Sequence, residues 1–290
     1  MALNSKYRFF RKGRWDLWVR TEGWNEGLWE EILRQLTDQA PMRHPQTKRF
    51  YYPQGEKGEE FYLKAYYCFH LAGTIKDLFR YSKAFRALKQ GVALTEQGFH
   101  VPLAVAAGEE RDLGLLKKAF LLTARVEGSP LPLFLRDRFV GPLGVAALRE
   151  KRDYLKRLAL EIRHLHQAGF VHGDLVPSNI LFRKEERGVT IFYMDNDRTR
   201  RYPLWLPQNL WKRNLVQLNR FVLPGISLQD RMRFLKSYLG GKTLGGKDRR
   251  LVGWLEKKTR KRRRECDRIT APVSFRELMR WNGPFTRNIQ

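Results

Sequence analysis

The chain has 290 residues, 42% of them hydrophobic and 13% aromatic, a composition that excludes a disordered polymer and allows one large domain or two closely packed lobes. Two cysteines, Cys68 and Cys266, stand far apart without metal-ligand spacing, so neither a disulfide framework nor a zinc site is expected and a reducing compartment fits. With 56 Lys and Arg against 30 Asp and Glu, the formal charge of +26 calls for an anionic partner: nucleic acid, an anionic bilayer surface or a phosphorylated glycolipid.

Near the start, Arg8, Arg11, Lys12 and Arg14 are not followed by the apolar run that a secretory signal needs, so export is not expected. Residues 1–50 are rich in Trp and Arg, and a helix is predicted from Glu26 to Leu36. Lys48 to Tyr52 and Phe61 to Tyr67 read as two strands of a hairpin, parted by the turn-formers Pro53, Gly55 and Gly58. Ser82 to Gln97 has helical character, and Gly98 stands where a helix commonly stops. The apolar run Val101 to Ala107 is far short of the roughly 20 residues of a spanning helix. A further strand is expected at Ala119 to Ala124.

Between Pro142 and Ala168, Leu155, Leu158, Ile162 and Leu165 recur at helical spacing, and Gly169 is placed to cap the helix. Two short β-like runs follow, Ile180 to Phe182 and Val189 to Met194, joined by a charged turn with Gly188. The rest reads as mostly helical, punctuated by Pro203, Pro207, Pro224 and the Gly240-Gly241 and Gly245-Gly246 pairs. The expected fold class is therefore α+β, with a small β-rich N-lobe over residues 1–127 and a larger, mainly helical C-lobe over 128–290.

The segment from Leu165 to Leu181 carries the most information. A helix ending in Leu165-His166-Gln167-Ala168-Gly169 is followed by Phe170-Val171, then His172-Gly173-Asp174-Leu175, then Asn179 five residues after the Asp, leading into a strand. This pattern resembles the catalytic loop of protein-kinase-like enzymes, and so implies a bilobal fold of that kind. Phosphoryl transfer needs a carboxylate near the attacking hydroxyl and hard oxygen ligands that hold Mg2+ against the phosphates of ATP. Asp174 is the candidate for the first, and Asn179 with Asp195 for the second, Asp195 ending the apolar run Ile191 to Met194 ahead of a second carboxylate, Asp197. His172 and Asp197 are supporting candidates. Taken one at a time, these residues could equally cap turns or sit in the core; their joint order argues for chemistry.

Lys64, flanked on both sides by β-like apolar residues in Phe61 to Tyr67, is the candidate for gripping the nucleotide phosphates, and a lysine snorkelling from an edge strand is the alternative. A Gly-x-Gly-x-x-Gly loop does not precede it, so another loop, near Arg49 or the Gly55 to Gly58 turn, would have to cover the phosphates. Gly173 stands where an arginine often follows the catalytic histidine, and Ala-Pro-Glu is missing after Asp197, which argues against activation-loop regulation and a peptide-docking platform. The carboxylate partner of Lys64 is unassigned: Ala87 falls at the tempting position, and Glu96 lies near a helix end.

Three stretches are similar to the bacterial lipopolysaccharide kinase family, which includes kinases of the inner-core sugars Kdo and heptose. They are Tyr62 to Tyr66; Leu78 to Arg86, leading to Gly98 and Pro102; and His172 to Leu181 with Met194 to Arg198. The resemblance, over about 48–222, implies an ATP- and Mg2+-dependent kinase with Asp174 catalytic, Asn179 and Asp195 on the metal and Lys64 on ATP. It also implies a phosphorylated glycolipid acceptor, the lipopolysaccharide core, and a peripheral location on the cytoplasmic face of the inner membrane. The basic run Lys257 to Arg264 is the expected membrane patch, a solvated helix face or a nucleic-acid site being the alternatives. Other acceptors (protein, another small molecule) and a non-enzymatic basic scaffold are the competing functions.

Overall fold

The computed structural model describes residues 3–38, 45–53, 58–68, 81–186, 188–203, 205, 209–223, 225–241 and 243–270. The chain divides into two compact units: Met1–Glu127 with Asp195–Thr199, and Gly128–Met194 with Arg200–Gln290.

The first unit is built on a six-stranded antiparallel sheet: β1 (Tyr7–Lys12), β2 (Trp15–Arg20), β3 (Gln46–Tyr52), β4 (Glu59–Tyr67), β5 (Ala104–Asp112) and β6 (Leu115–Ala124), in the order β1-β2-β5-β6-β4-β3. Side chains of a strand alternate between the two faces of its sheet. On one face Trp15, Leu17 and Val19 of β2 and Phe61, Leu63 and Ala65 of β4 pack with Leu28, Trp29, Ile32 and Leu36 of helix α1 (Glu26–Thr37). The intervening β4 positions, Lys64 and Tyr66, therefore belong to the other face, where Tyr66 packs with Ala84, Phe85, Leu88 and Val92 of α2 (Lys83–Glu96).

Both helices begin on side-chain caps. Asn25 accepts from the Leu28 amide at 2.8 Å and Ser82 from the Phe85 amide at 3.1 Å. The start of α2 is further fixed by Glu109 of β5, a buried carboxylate that accepts from the Ser82 amide at 2.6 Å and from Arg111 at 2.8 Å. The β3–β4 hairpin follows the expected order, with Phe50 opposite Phe61. Residues 54–57 of its turn, and the Leu78 to Arg80 part of the family-like stretch, lie outside the described residues.

In the first unit three strands run where none was expected. β2 alternates apolar and polar as a half-buried strand does, in a region read only as Trp- and Arg-rich, and β1 pairs with it. β5 is assembled from Ala104, Ala106, Ala107 and Gly108, residues of low strand propensity whose small size suits a crowded central position. β4 lies between β3 and β6, so Lys64 does not snorkel from an edge strand.

The second unit opens with β7 (Ser129–Pro130) and α3 (Leu131–Phe139), followed by α4 (Val145–Gln167), β8 (Phe170–Val171), β9 (Ile180–Glu185), β10 (Gly188–Tyr193) and β11 (Arg200–Arg201). Helices α5 (Asn209–Leu218), α6 (Leu228–Tyr238) and α7 (Gly246–Thr270) complete it. α4 buries Leu155, Leu158, Ile162 and Leu165 at the predicted spacing and stops at Gly169, whose φ of +85° a residue with a Cβ rarely adopts. Lys151 of α4 and Asp230 of α6 form a buried ion pair at 2.9 Å, and Asp230 also closes a capping box with Ser227. Burial raises the Asp230 pKa, but hydrogen bonds from Lys151 and Ser227 outweigh it and hold the carboxyl below its ordinary value.

The basic run Lys257 to Arg264 lies on α7 and is not uniformly exposed: Thr259 is buried, and Arg263 donates to the carbonyls of Asn219 at 2.9 Å and Arg220 at 3.2 Å. Among the described residues, no helix is long and apolar enough to cross a membrane.

Candidate active site

The expected catalytic loop lies in the second unit, between β8 and β9. β8 pairs with β11, so the residues just before the loop are held in a short sheet, with Val171 opposite Arg200. His172 is fully buried, its Nε2 2.9 Å from the carbonyl oxygen of Met194, the residue that precedes Asp195. A carbonyl only accepts, so Nε2 carries the proton. Met194 donates in turn to the Asn179 carbonyl at 2.8 Å, which ties the loop to the end of β10. Gly173 takes a φ of +76°, and this left-handed backbone gives a physical reason for glycine where the kinase pattern often has arginine.

After Asp174 the chain folds tightly on itself. Val176 donates to the Asp174 carbonyl at 2.8 Å, a short 3-10 turn spans Pro177–Asn179, and the Asn179 amide nitrogen returns to the Asp174 carbonyl at 2.9 Å. Both Asp174 and Asn179 are half-buried. Two residues of α5 that the sequence did not single out hold this backbone. Asn214 Oδ1 accepts from His172 N–H at 3.1 Å; Gln217 Oε1 accepts from Leu175 N–H at 3.2 Å, and Gln217 Nε2 donates to the Gly173 carbonyl at 2.8 Å. The available signal was two amide side chains three residues apart on an otherwise amphipathic helix.

Lys64, Asp195 and Asp197 belong to the first unit. Lys64 Nζ lies 2.5 Å from Asp195 Oδ1, which fills the partner role left open; Ala87 is buried in α2, and Glu96 instead accepts from Asn4 at 2.9 Å. β10 ends at Tyr193, so Asp195 and Asp197 lie beyond the strand rather than closing it. Asp195 adopts left-handed backbone with φ +58°, just before a 3-10 turn at Asn196–Arg198. Aspartate and asparagine tolerate this region better than other residues with a Cβ.

Burial, then repulsion from Asp195, pushes the Asp197 carboxyl above its ordinary pKa, partly countered by Lys64, Arg198 and Lys83. The buried Tyr66 hydroxyl has no hydrogen-bond partner among the described residues, and burial together with Asp195 and Asp197 holds it protonated. Two neighbouring carboxylates with one lysine leave negative charge that a divalent cation would relieve, and their hard oxygens suit magnesium. Among the described residues, no cluster of three or more His, Cys, Asp or Glu side chains is arranged to hold a metal. Arg49, named for covering phosphate, is instead ion-paired with Glu60, as is Arg125.

The second unit also contains an apolar cavity of about 520 Å³, lined among others by Leu158, Leu215, Leu218, Phe234 and Val252, with Arg231 and Arg260. Neither Asp174 nor Asn179 lines it.

A solved structure of WaaP in complex with acyl carrier protein matches with a TM-score of 0.60 at 20% identity, covering 85% of this chain and 98% of that one. That likeness establishes the fold as α+β and protein-kinase-like. Among curated proteins, the EKC/KEOPS complex subunit bud32 of Aspergillus clavatus is 32% identical over 105 residues, 32% of this chain and 38% of that protein. The cell division cycle 7-related protein kinase of Mus musculus is 32% identical over 82 residues, 28% of this chain and 14% of that protein. The chain thus spans well under half the length of these two relatives. A family model described as the lipopolysaccharide kinase (Kdo/WaaP) family matches residues 34–238, more than half of the chain, which therefore belongs to that family.

Proposed function

We propose that this kinase transfers the γ-phosphoryl group of ATP to a Kdo or heptose hydroxyl of the lipopolysaccharide inner core. The observation that carries the reading is the Lys64–Asp195 ion pair with Asp197 beside it, a phosphate-gripping cation next to hard-oxygen ligands. Residues 1–127 act as the nucleotide-holding lobe and 128–290 as the lobe that supplies the catalytic loop and the acceptor site. Asp174 orients the sugar hydroxyl and accepts its proton as the new O–P bond forms and the bond to the β-phosphate oxygen breaks, releasing ADP. Asn179 and Asp195 would hold Mg2+, which when bound would neutralise phosphate charge. Lys64 moves between Asp195 and the nucleotide phosphates, and His172 keeps the end of β10 in place through the Met194 carbonyl.

The acceptor is carried on a membrane lipid, and α7 suits an anionic bilayer on the cytoplasmic face. It bears eleven basic and four acidic residues, and its half-exposed Trp254 lies 5.8 Å from both Lys212 and Lys258. The apolar cavity supports a second binding reading, an acyl chain presented by an acyl carrier protein, the partner of the WaaP structure. Co-purification of acyl carrier protein, lost in Leu218→Trp, is expected on that reading.

Radiolabelled ATP incubated with purified lipid A–core, protein mixtures and aminoglycosides tests the assignment. Label is expected in lipid A–core, and Asp174→Asn is expected to lower transfer by about 10²–10⁴-fold while nucleotide binding persists. Label confined to protein would replace the sugar acceptor with a protein one. RNA binding with a steep salt dependence and no ATP turnover would favour a basic scaffold instead.

A further inference from the structure

We propose that Tyr66 of β4 is a positioning residue of the nucleotide site, its buried hydroxyl being the donor to the Asp197 carboxylate when Lys64 turns from Asp195 to the phosphates. The proposal rests on the reading of Lys64 as the residue that grips phosphate. Tyr66 follows Lys64 by two positions and so lies on the same face of the sheet, over α2. Its ring packs with Ala84, Phe85, Leu88 and Val92, a setting that phenylalanine would fill as well. The hydroxyl is the difference: it is shut off from water and has no hydrogen-bond partner among the described residues. The large majority of buried hydroxyls are paired, and one left unpaired disfavours the fold.

An acceptor without a donor lies in the same unit. The turn Asn196–Arg198 packs on α2, and its Asp197 is half-buried with no hydrogen bond to its carboxylate among the described residues. Asp197 and Asp195 are the two carboxylates whose charge acts on the Tyr66 hydroxyl. Burial and these charges keep the hydroxyl protonated, so towards a carboxylate it can only donate. The cations acting on Asp197 are Lys64, Arg198 and Lys83. Arg198 and Lys83 are exposed and meet water, and Lys64 pairs with Asp195 at 2.5 Å. Arg86, the cation acting on the hydroxyl, donates to the Ser82 carbonyl at 3.4 Å. Tyr66 is thus the donor of this group that neither water nor another described residue satisfies.

Lys64 couples the two. Its Nζ lies over the Tyr66 ring, 5.7 Å from the centroid, while it pairs with Asp195, so one ammonium is shared between ring and carboxylate. When it turns to the phosphates, Asp197 loses the attraction of Lys64 while burial still disfavours its charge. A half-buried carboxylate deprived of a cation needs a hydrogen-bond donor. On the proposed reading Asp195 would hold Mg2+, which leaves Asp197 as the acceptor for the hydroxyl. A group unsatisfied in one arrangement and satisfied in the other shifts the balance toward the second, which ties the set of the turn to the position of Lys64.

The test uses Tyr66→Phe in the full chain, which keeps the ring beside Lys64 and removes the hydroxyl alone. In urea titration without nucleotide, Tyr66→Phe is expected to unfold at the same or a higher concentration than wild type, since it deletes an unpaired buried group. Calorimetric titration with ATP and Mg2+ is expected to show binding weaker by about tenfold or more, the order of one hydrogen bond to a charged group. In an Asp197→Ala background, Tyr66→Phe is expected to change that binding by less than about twofold, because the two groups act as a pair. A lower urea midpoint for Tyr66→Phe, ATP binding within about twofold of wild type, or an effect that survives undiminished in Asp197→Ala overturns the proposal. Lys64→Met separates this from the reading beneath it. If that variant binds ATP with Mg2+ as wild type does, Lys64 does not grip phosphate and both fall; if it is impaired while Tyr66→Phe is not, the proposal alone falls.

Discussion

Lowering the pH from 7 to 5 should weaken the fold by about 2 kcal/mol through His166 alone. The imidazole sits at about 4 in the folded chain because burial disfavours its charged form, against an ordinary value of 6.5. Between those values the unfolded chain binds the proton and the folded chain does not, so the histidine contributes stability above its ordinary pKa that is lost as pH falls toward 4. At about 1.4 kcal/mol per pH unit, the full gap is worth about 3 kcal/mol, and roughly 2 kcal/mol of it falls between pH 7 and pH 5. Urea titrations at the two pH values read this directly, provided other histidines are subtracted. His166→Gln provides the subtraction: its Nε2 can donate to Asn214 and its Oε1 can accept from Tyr238, with no titration. The stability difference between wild type and His166→Gln should move against wild type by about 2 kcal/mol from pH 7 to pH 5. An unchanged difference, or an NMR titration of His166 with its midpoint above 6, would refute the reasoning.

Lys151→Met leaves the buried Asp230 carboxylate with only the half-exposed Arg233 at 3.2 Å, and urea titration at pH 7 should register a loss toward the low end of the roughly 3–5 kcal/mol for a broken buried pair. Gly225 has φ +69°, and an added Cβ would stand 2.3 Å from the Phe139 carbonyl oxygen, so Gly225→Ala should lower stability by about 1–3 kcal/mol, read from the same titration. Asp195→Asn should keep the fold, because asparagine accepts the left-handed backbone, yet lose phosphate transfer by about 10²-fold or more, the order of losing one electrostatic stabiliser of the transferred group. Changing Lys257, Lys258 and Lys261 to Gln should weaken partition onto anionic vesicles by about 100-fold at low salt, from roughly 1 kcal/mol per exposed lysine, and equal sedimentation with neutral vesicles would contradict it.

The sequence displayed best what local pattern encodes. The spacing from Leu155 to Leu165 marked α4, and the order His172, Asp174, Asn179 carried the resemblance to a kinase-like loop. The strands β1, β2 and β5 were hidden for different reasons. In β1 arginines interleave with phenylalanines, and in β2 the alternation of Trp15, Leu17 and Val19 was there to be counted; β5 is made of alanine and glycine, whose low strand propensity is overridden by packing in a central strand. The partner of Lys64 lies 131 positions away, at Asp195, so no search of the following helix could reach it. Asn214 and Gln217 bond mainly to backbone, and a backbone group carries no residue identity for a sequence reader to match.

The charge excess is not explained by stability. Of the pairs on α7, Arg260 with Glu256, Arg262 with Glu265 and Lys261 with Glu265 are all exposed, the class of ion pair that contributes little in water. Arg263 is the exception, since its guanidinium holds the helix to the carbonyls after α5, and there geometry rather than charge alone does the holding. Had the run served only to seat α7, one such residue per turn would suffice and neighbouring lysines would raise self-repulsion without compensation. Lys257 and Lys258 make no ion pair among the described residues, while Lys261 lies 3.9 Å from Glu265, so an anion from outside the chain is what the proposed membrane contact would add. On the proposed reading, the phosphates of the glycolipid and its bilayer would supply that anion, and Trp254 of the same helix would meet their apolar border.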